Sequence, residues 1–95
     1  MHVNIDTDAI GATLAALLNG RHVGDGVVEF GDTSLTHPRA AYGEIVAVVD
    51  PDTGSVVVSI LWRDDDGNMV TIYDLTEDVP HTDTDAIVRA VSEAR

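Results

Sequence analysis

Residues 43–63 hold two β-branched runs, GEIVAVVD and SVVVSILWR, separated only by the tetrapeptide PDTG. Branching at Cβ stiffens χ1 and suits a pleated, half-buried surface, so Val and Ile in such density favour extended backbone. Pro51 fixes φ and Gly54 admits the positive φ of a tight reversal, which predicts that the two runs fold back as antiparallel neighbours. A chain committed to that hairpin must build a sheet around it. A second turn, DDDGN at 64–68, leads into MVTIYDL at 69–75, and upstream GDGVVEF at 24–30 reads as a short strand after a glycine turn. The expected strands are about 26–30, 43–49, 55–63 and 69–75, an antiparallel meander of four or five strands. Val56, Val58, Ile60 and Trp62 share one face of the third strand, and Val57, Ser59, Leu61 and Arg63 share the other. Both faces are partly apolar, so this strand is expected to be central and partly covered on each side.

The pentapeptide DTDAI occurs twice, at 6–10 and 83–87. Ile10, Leu14, Leu17 and Leu18 follow the first copy at i, i+4, i+7 and i+8, one apolar stripe of a helix. Ile87, Val88, Val91 and Ala94 form the same stripe after the second. In each copy an Asp or Thr can accept a hydrogen bond from free first-turn amides, and the second Asp sets negative charge at the positive end of the helix dipole. Asn19-Gly20 supplies a stop to the first helix. Helices are therefore expected at about 7–18 and 84–94. Beyond the pentapeptide the copies diverge, which removes a repeat array, and an EF-hand is excluded because its Gly and Glu positions are missing. EDVPHT at 77–82 reads as the linker into the last helix. The fold class expected is α+β, mainly β: a small antiparallel barrel or curled meander flanked by two helices, as one domain over 1–95.

Seventeen acidic residues, thirteen of them Asp, stand against five Arg and no Lys, for a net charge of −12. Such a field repels phosphate backbones, so direct nucleic-acid binding is disfavoured, as is an anionic membrane surface. The acidity reads first as a solubility trait, with specific use of the charge in binding as the alternative. No apolar run approaches the roughly 20 residues of a membrane span, and MHVNIDTD lacks the basic-then-apolar order of a secretory signal. The cytosol, or a particle assembled there, is the expected location. Without cysteine there is no thiol nucleophile, disulfide or thiolate metal site.

The strings VGDGVVEF (23–30), YGEIVAVVD (42–50) and SILWRDDDG (59–67) resemble small SH3-like barrels of the Tudor or KOW kind and short actinobacterial domains. In these a G-D-x-V opening strand precedes G-E-I-V and an apolar strand ending in W-x-D-G. The likeness covers about 24–75 and leaves both helices out. It implies a module that binds peptides, nucleic acids or larger assemblies. The chain lacks the basic surface of the nucleic-acid-binding members and the aromatic complement of the cage-forming ones. Small barrels with added helices also occur as connector, stopper and decoration proteins of phage particles.

Trp62 with Tyr73 and Tyr42 is a candidate groove for a peptide or a cationic ligand. The competing reading puts Trp62 in the core with Val56, Val58 and Ile60, and leaves Tyr42 the most exposed of the three. Asp64, Asp65 and Asp66 are a candidate partner contact, although adjacent acids on a turn diverge and serve as a solvated hairpin more readily than as a cation cage. His2, His22, His37 and His81 have no pair spaced for one helix face, so no metal site is expected. Asp32, Ser34 and His37 share a loop without any sign of an oriented base or oxyanion hole. No phosphate loop is present and no cofactor is implied. The leading expectation is a non-enzymatic interaction module that docks on a protein partner or self-assembles, with an apolar patch on helix 1 or beside Tyr42. An acidic mimic of nucleic acid is the alternative, and would gather its acids on one face. A small-ligand hydrolase using His37 and Glu44 is the third.

Overall fold

The computed structural model describes residues 5–95, so His2 lies outside the described residues. Helix α1 (Thr7–Leu18) is followed by β1 (Arg21–Gly24), β2 (Val27–Asp32), β3 (Tyr42–Val49), β4 (Ser55–Arg63), β5 (Met69–Asp74) and β6 (Val79–Pro80), then helix α2 (Thr84–Ala94). The fold is α+β and mainly strand. Every pairing is antiparallel, along the path β1-β2-β3-β4-β5, with β6 joined to the start of β4.

The β3–β4 hairpin is its centre. Its ladder pairs Tyr42 with Arg63 at one end and Val49 with Val56 at the other, without a break in register. Asp50 N–H donates to Ser55 O at 2.8 Å and Gly54 N–H to Asp50 O at 2.9 Å, with Gly54 at φ 73°. The PDTG reversal thus uses the positive φ that only glycine adopts without strain.

Each helix begins at a DTDAI copy. Asp6 Oδ1 accepts from Ala9 N–H at 3.0 Å, and Asp83 Oδ1 from Ala86 N–H at 3.3 Å. The first Asp of each copy is the cap, while Asp8 and Asp85 place charge in the first turn. Asn19 closes α1 in the left-handed conformation at φ 57°. Both helices then cover one face of the sheet. Leu14 and Leu18 from α1, and Ile87, Val91 and Ala94 from α2, pack on Val28, Phe30, Ile45, Ala47, Val49, Val56, Val58, Ile60 and Trp62. Arg95 ties the two helix ends together, donating to Leu18 O at 2.8 Å and Phe30 O at 3.2 Å.

Two features depart from the sequence reading. GDG does not precede a lone strand but joins two: Asp25 (φ 53°) and Gly26 (φ 72°) form the two-residue loop of a β1–β2 hairpin, the reversal that matches strand twist. The linker before α2 carries a short strand, with Val79 opposite Val56 and Pro80 opposite Ser55. Pro is tolerated there because the strand lies at an edge. As expected, β4 is central and partly covered on each side: both helices lie on the inner face, and on the outer face Ser59 and its β3 partner Val46 are buried while Val57 and Leu61 are half-buried.

Ile60 is fully buried between the helices and the sheet, so Ile60→Ala should cost about 2–5 kcal/mol in urea unfolding. Asp83→Ala, which removes only a cap, should cost about 1 kcal/mol. A cost for Ile60→Ala no larger than for the cap variant would contradict this core.

Candidate partner-binding surface

The period of two that buries Val56, Val58 and Ile60 turns their neighbours outward. Register places Val27 beside Val48 and Val48 beside Val57, while Leu61 lies between Glu44 and Ile72. These side chains form an aliphatic band across four strands on the face opposite the helices. Val48 is 45% exposed and Ile72 is 55% exposed, Val57 and Leu61 are half-buried, and the Val46–Ser59 pair between them is buried. Exposed aliphatic groups gathered in this way make this face the candidate surface.

The charges on this face are uneven. Arg21 Nη2 contacts Glu29 Oε1 at 2.6 Å, and Arg63 Nε lies 3.9 Å from Glu44 Oε2, so both cations of the face stand against carboxylates. At the opposite end Val48, Val57 and Ile72 floor a hollow of about 430 Å³ whose rim holds Asp50, Asp74 and Asp78. Asp74 Oδ1 accepts from Ser59 Oγ at 2.7 Å, which holds one carboxylate at the rim. The hollow therefore joins an apolar floor to a negative edge.

The aromatic residues expected to share a groove divide between surroundings. Trp62 is 6% exposed and belongs to the core, with His37 5.1 Å away on one side and Tyr73 6.2 Å away on another. Tyr73 lies on the same inner face yet is 54% exposed, on the edge strand β5, where it borders a depression beside Ala90 and Glu93 of α2. Tyr42, at 44%, pairs with Arg63 on the outer face. Tyr73, not Tyr42, is thus the most exposed of the three; position on an edge strand outweighs proximity to a loop. Among the acids of the turn, Asp64 is a structural residue whose Oδ1 accepts from Asp66 N–H and Asn68 N–H at 3.0 and 2.8 Å. Asp65 and Asp66 are exposed.

The loop between β2 and β3 is held to the end of α2, where Thr33 Oγ1, Ser34 N–H and Ser34 Oγ donate to Ala94 O at 2.7, 2.7 and 3.2 Å. These bonds occupy Ser34 and leave it unoriented toward a base. His37 Nδ1 accepts from Arg39 N–H at 3.1 Å. Glu44 faces Arg63 on the outer side, and the two proposed hydrolase residues line different depressions. His81 Nδ1 lies 3.0 Å from Gly54 O, and the His22 ring packs over Gly11 of α1. Each described histidine serves local packing or a turn.

Val48, Val57, Ile72, Asp50, Asp74 and Asp78 escaped sequence reasoning as a site. The signal was present in parity: the alternate residues of GEIVAVVD and SVVVSILWR are aliphatic on both faces, and two helices cannot cover both. No protein-family model, curated protein or solved structure matches the chain. Among the described residues no helix is long and apolar enough to cross a membrane.

A Cβ on Gly43 would come within 2.8 Å of Trp62 Cδ1 and 2.7 Å of Thr33 Cγ2. Gly43→Ala should therefore displace the only tryptophan and change its fluorescence emission, with loss of stability of about 1–3 kcal/mol. Unchanged emission and stability would show that the loop, not the core, sets the Trp62 position.

Proposed function

We propose that the chain is a non-enzymatic interaction module that docks on a protein partner through the uncovered face of its sheet. The observation that carries this reading is the aliphatic band of Val27, Val48, Val57, Leu61 and Ile72, with Val48 and Ile72 exposed and the others half-buried, on a face without a helix among the described residues. The partner is identified by complementarity: an apolar patch flanked by Lys or Arg, which would meet Asp50, Asp74 and Asp78 at the rim. A second copy fits less well, because face-to-face stacking of chains of net charge −12 sets those carboxylates against their own kind. Location in the cytosol, or in a particle assembled there such as that of a phage, belongs to the same proposal. So does the likeness of 24–75 to SH3-like barrels, whose members bind peptides and assemblies.

The acidic-mimic reading draws less support. Asp6, Asp8, Asp83 and Asp85 lie at helix starts, Asp25, Asp50, Asp52 and Asp64 to Asp66 in turns, and Glu29, Glu44 and Asp74 on the outer face. The acids are thus spread around the molecule, and several serve caps and turns. The separation of His37 from Glu44 weakens the hydrolase reading in the same way.

The test compares two variants in affinity capture from the source cell. A protein bound by the wild type and by Leu17→Ser, which changes an exposed residue of α1, should be lost with Val48→Ser/Ile72→Ser. Both variants should melt within a few degrees of the wild type, since exposed substitutions change stability little. Equal loss with the Leu17 variant, or retention by the outer-face variant, would move the contact elsewhere.

A further inference from the structure

The edge of the sheet beside the aliphatic band is open. Among the described residues β5 pairs on one side only, with β4. In an antiparallel strand the residues alternate between pointing their N–H and C=O groups at the neighbour and away from it, so β5 presents a row of outward donors and acceptors. Proteins protect such edges with Pro, Lys, inward charges, bulges or a covering segment. MVTIYD has no Pro or Lys and its one charged residue is the last; its bulge, at Val70, lies near the start of the strand and leaves Thr71 to Asp74 in unbroken register against β4.

The open edge lies between two hollows. On the inner face Leu35, Tyr73, Leu75 and Ala90 border a depression of about 270 Å³ that also holds Glu93. On the outer face lies the hollow of Val57 and Ile72 with Asp74 and Asp78. A strand laid along β5 would send alternate side chains to these two sides. Each side offers apolar surface with a carboxylate beside it.

Resting on the interaction reading above, we infer that β5 is the acceptor edge for a strand supplied by the partner. The incoming segment carries aliphatic or aromatic residues on both faces of its centre and Lys or Arg toward its ends. The charges around the edge select that chemistry. Asp64, Asp65 and Asp66 precede β5, and Glu77 and Asp78 follow it, so cations at both ends of an added strand meet carboxylates. A β5 strand from a second copy would do the reverse. Antiparallel pairing would set the 64–66 turn of one chain beside Asp74 and Asp78 of the other, and parallel pairing would set like against like. Main-chain bonds supply affinity in strand addition, the two hollows supply side-chain selection, and the acidic ends exclude self-pairing.

The experiment follows backbone amide exchange of the full chain by NMR during titration with three synthetic peptides. The first has an alternating Ile and Val core with Lys at both ends, the second has Glu in place of Lys, and the third is the Lys peptide N-methylated along one edge. The Lys peptide should slow exchange of the outward amides of residues 69–74 by about tenfold or more. N-methylation, or the Glu ends, should weaken binding by about tenfold. Ile72→Lys, at an exposed site that tolerates substitution, should weaken the Lys peptide similarly while melting within a few degrees of the wild type.

Peptide binding that shifts Val48 and Val57 but leaves β5 exchange unchanged would overturn strand addition and leave the outer-face reading standing. The same holds if N-methylation has no effect. Concentration-dependent protection of β5 in the protein alone would assign the edge to a second copy and overturn the proposal. So would the absence of any protection at millimolar Lys peptide.

Discussion

The unbroken register of β3 against β4 governs the rest of the structure. A strand has a period of two, so fixing Ile45 opposite Ile60 and Ala47 opposite Val58 also fixes Val48 opposite Val57 and Glu44 opposite Leu61. The first set receives both helices and becomes the core. The second set is turned outward by the same register, and its aliphatic character cannot be hidden by any adjustment of this hairpin. Core and candidate binding face are therefore two consequences of one alignment, which the PDTG reversal sets.

Acidity in this chain acts through local geometry before it acts as a field. Asp6 and Asp83 satisfy free amides at the helix starts, and Asp64 gathers the amides of its turn. Where arginines occur on the outer face they meet glutamates. The charge left around the aliphatic band is negative at the hollow and at both ends of β5, so the field at this face favours cations over anions.

Much of the fold was legible because its signals are local. The DTDAI copies, the helical stripes behind them and the three β-branched runs each carry their own propensity and turn chemistry, and all agree. The unread elements depend on pairing. RHVG has little strand propensity and becomes β1 because Asp25-Gly26 folds it onto β2, and Val79-Pro80 becomes β6 because β4 extends beyond β5. The site was less legible than the fold. Aromatic residues drew attention to Trp62, which is core, whereas the exposed band consists of Val, Leu and Ile, residues whose identity alone cannot distinguish inside from outside. Only the knowledge that α1 and α2 share a face separates them.

That sharing has a consequence for biosynthesis. Arg95 donates to Leu18 O across 77 positions, and Ile87 and Val91 complete a core begun by Leu14. While the chain emerges from the ribosome the sheet can pair strand by strand, yet α2 arrives after β5. Until then part of the inner face is as bare as the outer one, and the nascent chain carries two apolar surfaces in place of one. In the interval between synthesis of β5 and docking of α2, the core positions that Ile87 and Val91 will cover lie open.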